Sequence, residues 1–231
     1  MSFLEAAIGW LAPPQCVGCG TEGSSVCRAC ATSEISAFGE RCWRCNAVSL
    51  NCRTCPKCRL PGSPGHVWIS TDYDGLAREL VSLYKFGHQR AAAEPIARMM
   101  ADTLLLYGSP EEVQSKNYLV VPVPTATSRI RERGFDHSEL LARKIALILH
   151  ANHSGALRRL SQTRQLGSKR QNRLTQLAGS FAIKDRQAVY GRNILLVDDV
   201  ITTGGTLTET TKVLRAAGAR QVDALLFAKR L

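Results

Sequence analysis

From residue 66 onward, the chain alternates between short apolar runs and longer stretches with an apolar residue at every third or fourth position. The first pattern predicts β-strands and the second predicts amphipathic helices. Strands are predicted over 66–73, 118–123, 193–197 and 222–227. Helices are predicted over 75–86, about 91–107, 137–150 and 206–217, and Gly218 stands in the position that ends the last of them.

This alternation predicts an α/β fold built on a parallel sheet. Residues 193–197 are apolar without interruption, which is typical of a strand covered on both faces. Open parallel sheets bind ligands at the carboxyl ends of their strands, so we expect the functional site at that edge.

All nine cysteines lie between Cys16 and Cys58, and none occurs later in the chain. The composition changes at 60–65, where two prolines and two glycines indicate a connector. The sequence therefore predicts two parts, a cysteine-rich module over 1–65 and a larger α/β domain over 66–231.

Eight of the cysteines form four Cys-x-x-Cys pairs, and this spacing lets a tight turn direct two sulfurs at one zinc ion. Four pairs predict two structural zinc ions, which would stabilise a module too small for a core of its own. Sequential and cross-braced pairing both fit the spacing. The odd count and the absence of an export signal disfavour a disulfide framework, and a redox-active pair is expected once rather than four times. The predicted ligands are Cys16, Cys19, Cys27, Cys30, Cys42, Cys45, Cys55 and Cys58, and Cys52 is left over.

The formal charge is +11, from 30 basic and 19 acidic residues. Such an excess suits a polyanionic partner, although it also serves solubility alone. No run approaches the roughly 18 apolar residues of a membrane-spanning helix, and no export signal is recognisable, so we expect a cytoplasmic protein without membrane insertion. The basic residues of the module, among which Trp43 lies, could bind a nucleic-acid backbone. These basic residues are Arg28, Arg41, Arg44, Arg53, Lys57 and Arg59.

The segment 194–206 carries the most specific chemistry, because an apolar strand leads into two acids, a threonine-glycine turn and a helix. Glycine N–H groups, threonine hydroxyls and a helix N-terminus suit a phosphate. The carboxylates of Asp198 and Asp199 suit the vicinal hydroxyls of a ribose. Together they predict a site for a ribose 5-phosphate, whereas the alternative is a capping pair in a surface turn. The predicted phosphate ligands are Thr202, Thr203, Gly204, Gly205 and Thr206.

This segment resembles the phosphoribosyl pyrophosphate signature of type I phosphoribosyltransferases. With the cysteine module in front, the chain resembles the ComF family of competence-related proteins. Further matches are 13–16, 83–87, 121–124 and Arg133-Gly134-Phe135. The chain departs from the family pattern at Asp136-His137, where relatives often have Asn-Gln.

The resemblance implies roles for individual residues. Asp198 and Asp199 would hold the ribose hydroxyls, and the threonine-glycine turn would hold the 5-phosphate. The loop after Pro124 would bind the pyrophosphate together with Mg²⁺. The implied pyrophosphate contacts are Arg129, Arg131 and Arg133, with Lys85 nearby.

The resemblance also implies that the basic stretch 153–180 is a flexible loop that closes over the substrate. A solvated, charged loop without this role is the alternative interpretation of the stretch. Two functions follow. The first is a phosphoribosyltransferase for an unidentified acceptor, acting in nucleotide salvage or in the use of imported DNA. The second is a non-catalytic competence factor that binds single-stranded DNA. Since the chain ends directly after the last predicted strand, we expect little of the hood that recognises a base in such transferases.

Overall fold

The computed structural model describes residues 13–87, 89–160 and 179–230. Its centre is a five-stranded sheet in the order β1-β7-β6-β2-β3, in which all neighbours are parallel. A short antiparallel pair, β4-β5, lies apart from it. The strands are β1 (Val67–Asp72), β2 (Leu119–Pro122), β3 (Asn152–His153), β4 (Leu157–Arg159), β5 (Phe181–Ile183), β6 (Asn193–Ile201) and β7 (Gln221–Lys229).

Helices connect the parallel strands, as the alternating pattern predicts. Asp136 caps the helix at 137 by accepting from the backbone N–H of Glu139 at 3.2 Å, and Gly218 adopts a φ of 96° just past the helix that ends at 216. The described helices are α1 (Arg28–Glu34), α2 (Gly75–Phe86), α3 (Ala93–Gly108), α4 (Pro110–Lys116), α5 (Thr127–Arg133), α6 (His137–Ile148), α7 (Arg186–Val189) and α8 (Gly205–Ala216).

The central strand β6 is buried on both faces. Leu195 and Val197 join an apolar cluster formed with α2, α3 and α6. Ile194 and Leu196 point to the opposite face, where they join a cluster formed with α8 and the cysteine module. This double coverage explains why the segment is apolar at every position.

The cysteine module packs along the edge strand β1. The backbone of Phe38 donates to Ser70 at 3.0 Å, and isolated antiparallel bridges join Ala37 to Thr71 and Arg53 to His66. Phe38 also joins the apolar cluster on the face of the sheet that α8 covers, so this part of the module contacts that face. The division of the chain into a module over 1–65 and a domain over 66–231 stays a prediction.

A buried polar network lies at the amino ends of the strands, on the edge opposite the expected site. Asp223 is fully buried and accepts from Tyr118 Oη at 2.5 Å and from Gln221 Nε2 at 2.6 Å. The backbone N–H of His66 donates to the same carboxylate at 2.9 Å, and its ring Nδ1 lies 3.2 Å away. Three strand beginnings are thereby joined through one carboxylate.

The predicted strands and helices of the α/β domain are confirmed, with one important difference at β6. This strand was predicted over 193–197, but it continues to Ile201, so that Asp198 and Asp199 lie inside it. Helices α4 and α5 were not predicted, because each is only seven residues long and rich in charge. Within the described ranges, no helix is both long and apolar enough to cross a membrane.

Candidate functional site

A polar cavity of about 380 Å³ opens at the carboxyl ends of the central strands. The turn after β6 forms a smaller recess of about 60 Å³ that shares Asp198, Thr202 and Thr206 with it. The position agrees with the expectation for an open parallel sheet. The larger cavity is lined by Tyr73, Lys85, Val123, Pro124, Thr125, Ala126, Arg129, His137, Ser138, Arg159, Asp198, Asp199, Val200, Thr202, Thr206 and Arg230.

The threonine-glycine turn forms the N-terminal end of α8. Gly204 occupies the N-cap position with a φ of 72°, a conformation that favours glycine. No side chain caps this end of the helix, so its first N–H groups stay available to an anion. Thr202 and Thr203 are exposed beside them. The turn therefore has the donors of a phosphate site.

Asp198 faces the cavity. Its Oδ1 accepts from Ser138 Oγ at 2.8 Å and from the backbone N–H of Asp199 at 3.0 Å. Burial and the negative charge of Asp199 raise the pKa of Asp198 to about 7. An acid with this pKa changes its protonation state close to neutral pH.

Asp199 is paired inside the protein, although it also touches the cavity. Lys85 Nζ lies 2.8 Å from its Oδ1, and His137 Nε2 lies 3.1 Å from its Oδ2. Burial raises the pKa of Asp199, but the nearby charge of Lys85 outweighs burial and lowers it. The two acids differ in their partners but not in their location, because both line the cavity and an oxygen of each lies within 4.8 Å of the other. That both carboxylates hold the ribose hydroxyls stays a prediction, and Asp198 is the one without an ion pair among the described residues.

His137 lines the cavity as well and links Asp199 to Arg133. Arg133 Nη1 lies 2.9 Å from its Nδ1 and 3.3 Å from its Nε2. Burial lowers the pKa of His137, so the ring is neutral at pH 7. At the departure from the family pattern, Asp136 caps α6 and His137 contacts Asp199.

The structure separates the cations that the sequence grouped together. Arg129 lines the cavity, as predicted, and Lys85 lines it while paired with Asp199. Arg131 is exposed and is not among the lining residues, and Arg133 is buried against His137 and the ring of Phe86. Direct pyrophosphate contact by Arg131 and Arg133 is therefore not supported by their positions.

Two cavity cations were not singled out from the sequence as ligands. Arg159 comes from β4, and Arg230 follows β7. Arg159 belongs to the basic stretch 153–180, whereas nothing in the sequence distinguishes Arg230 from other surface arginines. The remaining part of the predicted closing loop, 161–178, lies outside the described residues.

The paired cysteines form two separate clusters. Cys16, Cys19, Cys27 and Cys30 make the first, and Cys42, Cys45, Cys55 and Cys58 make the second, which selects the sequential pairing. All nine thiols are free of disulfides, including the buried Cys52.

The donor geometry of both clusters fits zinc. Within each cluster, the four sulfurs lie within 4.8 Å of one another. The Cys19–Cys27 and Cys45–Cys55 sulfur distances are both 3.7 Å. Sulfurs placed about 2.3 Å from a tetrahedral zinc ion are separated by about 3.8 Å. Each cluster can therefore hold one structural zinc ion.

Comparison with known proteins adds to this geometry. The model of the phosphoribosyl transferase domain matches residues 136–231. Competence protein F of Haemophilus influenzae is 30% identical over 153 residues, which are 62% of this chain and 64% of that protein, so the chain spans a little under two thirds of its length.

Two further relatives are similar over comparable lengths. The DNA utilization protein YhgH of Escherichia coli is 27% identical over 201 residues, or 78% of this chain and 87% of that protein. Competence protein ComFC of Bacillus subtilis is 31% identical over 146 residues, or 63% and 56%. These relatives, the match to the phosphoribosyl transferase domain and the two cysteine clusters together support the assignment of the chain to the ComF family of competence-related proteins.

Proposed function

We propose that the cavity binds phosphoribosyl pyrophosphate with Mg²⁺ as the donor in a phosphoribosyl transfer. The observation that carries the proposal is that Asp198 lines both a cavity with several cations and the adjoining recess that the threonine-glycine turn forms. A carboxylate for ribose hydroxyls, an N-terminal helix turn for the 5-phosphate and arginines for the pyrophosphate are the three groups that this ligand requires.

The charges of the cavity support an anionic ligand. Two acids and four cations line it, and the Lys85–Asp199 pair neutralises one of each sign. Burial and the positive charge of Arg129 lower the pKa of Arg159, which indicates repulsion between these two arginines. An anion placed between them would relieve that repulsion.

The protein's part in the transfer follows from these positions. Asp198 accepts from the ribose hydroxyls and orients the sugar, while the turn at 202–206 fixes its phosphate. Arg129, Arg159 and Arg230 bind the pyrophosphate and stabilise its charge as the bond to the ribose C1 breaks. Mg²⁺, when bound, neutralises part of the charge on the leaving pyrophosphate. An acceptor nucleophile would take the ribosyl group.

Calorimetry with phosphoribosyl pyrophosphate and Mg²⁺ tests the proposal, and two arginines of α5 provide a matched pair. Micromolar affinity is expected for the parent protein, about −8 kcal/mol. Arg129→Gln should weaken binding about 10-fold, because one charged hydrogen-bond donor is lost. Arg131→Gln should have no effect, since Arg131 is exposed and does not line the cavity.

Ribose 5-phosphate provides the second control, because it lacks the pyrophosphate. Arg129→Gln should weaken its binding much less than that of the full ligand. Pyrophosphate release on addition of a panel of bases then measures transfer. If the parent protein binds neither ligand at millimolar concentration, the proposed function is wrong.

A second candidate function is the binding of single-stranded DNA, which the exposed cations of the cysteine module favour. The relatives named above are competence and DNA utilization proteins. Trp43, which lies among these cations, is buried, so its ring is not available to stack on a base. Backbone contacts would therefore dominate, made by the exposed residues Arg28, Arg41, Arg44, Arg53, Lys57 and Arg59.

Titration of a labelled oligothymidine at several salt concentrations tests this candidate. Replacing Lys57 and Arg59 together by glutamine should reduce the magnitude of the slope of log K against log salt by about 1.4, because two phosphate contacts are lost. Asp198→Asn should leave DNA binding unchanged. A salt-independent affinity, or one that the double variant does not alter, would exclude a backbone-binding module.

A further inference from the structure

The part of the chain that holds the second cysteine cluster contacts the threonine-glycine turn at 202–206 (the phosphate turn) through Trp43. The ring of Trp43, which lies between Cys42 and Cys45 in the sequence, covers Gly204 so closely that a Cβ added there would be 2.1 Å from Trp43 Cζ3. Gly204 is therefore required twice, by its positive φ and by the aromatic ring above it.

Trp43 is itself held rigidly. It is 2% exposed, and its Nε1 donates to Thr54 Oγ1 at 2.9 Å. Thr54 in turn donates to the carbonyl oxygen of Pro64 at 2.7 Å. Trp43 also packs in the same apolar cluster as Ile201 and Leu207, which flank the phosphate turn.

The residues beside Trp43 add two further contacts to the α/β domain. The Arg44 guanidinium lies 4.9 Å from the Trp43 ring and 3.4 Å from Thr208 Oγ1 on the first turn of α8. Asn46 Oδ1 accepts from Lys229 at the end of β7. Residues 42–46 thus contact both α8 and the end of β7.

The first cysteine cluster has no such relation to the turn. Cys16 and Cys30 belong to the apolar cluster on the other face of the sheet. Gly18 approaches Leu76 of α2, where an added Cβ would lie 3.3 Å from the leucine Cδ1. The two clusters thus offer the same chemistry in two different places.

We propose that Trp43, fixed by metal in the second cluster, is a positioning residue that holds the 202–206 turn in its ligand-binding conformation. Metal loss from that cluster would release the Trp43 ring, and with it the N-terminal end of α8. The identity of the ligand, phosphoribosyl pyrophosphate, rests on the proposed function, but the coupling between the metal site and the 202–206 turn does not depend on it.

Two matched pairs of variants test the inference. Cys45→Ser and Cys19→Ser each remove the exposed second cysteine of a first Cys-x-x-Cys pair, one from each cluster. Trp43→Phe and Trp68→Phe make the same change at two buried tryptophans, of which Trp68 lies in the other apolar cluster. Zinc content, amide hydrogen exchange of 202–208 without ligand, and affinity for phosphoribosyl pyrophosphate are measured for all four.

The parent protein should contain about two zinc ions, and each cysteine variant should retain about one. Cys45→Ser and Trp43→Phe should increase exchange at the Thr208 amide, which donates to Gly204 at 2.9 Å, and weaken ligand binding about 10-fold. Cys19→Ser and Trp68→Phe should change neither by more than about 2-fold.

Equal exchange and equal affinity in the two members of each pair would overturn the inference. Should the parent protein fail to bind phosphoribosyl pyrophosphate, the exchange measurement still decides the coupling, because it needs no ligand. Should Cys45→Ser fail to fold, Trp43→Phe and Trp68→Phe provide the same comparison with both metal sites intact.

Discussion

Asp198→Asn is expected to weaken binding of phosphoribosyl pyrophosphate on the order of 100-fold, while the melting temperature stays the same or rises. The loss of affinity follows because the ribose hydroxyls lose a charged acceptor, worth about 1.5–3 kcal/mol for a hydrogen bond to an ionised group. The stability is retained because the variant removes the repulsion between Asp198 and Asp199 that raises the pKa of Asp198.

The pH dependence of binding gives the same prediction a second readout. Asp198 has a pKa raised to about 7 in the free protein, and only its charged form is a full acceptor. Affinity of the parent protein should therefore increase from pH 6 to pH 8. The ligand ionises identically with both proteins, so the difference in slope between parent and Asp198→Asn isolates this carboxyl group.

Asp199→Asn is the informative comparison, because its expected effect on the melting temperature is the reverse of that of Asp198→Asn. This change leaves Lys85 and His137 without their buried acceptor charge, so it should lower the melting temperature. An Asp198→Asn variant that binds as tightly as the parent at pH 8 would contradict the assignment of the ribose site.

Asp223→Asn is expected to lower the free energy of unfolding by about 3–5 kcal/mol, because the buried donors around this residue lose a charged partner. For a chain of this length, such a loss corresponds to roughly 10 °C or more in melting temperature. Thermal melting of the zinc-loaded proteins measures it. Glu112→Gln, which breaks the partly exposed pair with Lys116, should cost less than about 1 kcal/mol.

The acid dependence of stability follows from the same network. Burial raises the pKa of Asp223, but the hydrogen bonds from His66 and Tyr118 outweigh burial and lower it. A group with a lowered folded-state pKa contributes stability above its unfolded value of about 3.9 and loses it as the pH falls through the folded value. The melting temperatures of parent and Asp223→Asn should therefore converge in acid, and equal stability at pH 7 would show that the network contributes nothing.

The sequence alone was sufficient for features whose cause is local. Alternating strand and helix periods determine a parallel α/β sheet, because each period buries one face or stripe of its element. Cys-x-x-Cys spacing determines a zinc half-site through a single tight turn. The glycines and threonines of 202–206 determine a turn at a helix start with free N–H groups, since neighbouring backbone groups alone create it.

Features that depend on distant parts of the chain were decided by the tertiary structure. The apolar run ends at Val197, but pairing with β7 extends the strand to Ile201, so that Asp198 and Asp199 lie inside it and only the fold gives them different partners. Arg129 lines the cavity and Arg131 does not, because the segment forms a helix, in which residues two positions apart do not share a face.

The remaining contacts join residues that no local pattern connects. The fold brings Arg230 to the cavity at the end of β7. It also brings Trp43 onto Gly204, although these residues are far apart in the chain. Spacing along a sequence constrains only what one turn, helix or strand can reach, so the cysteine pairing and the composition of the cavity were determined only when the sheet placed these elements side by side.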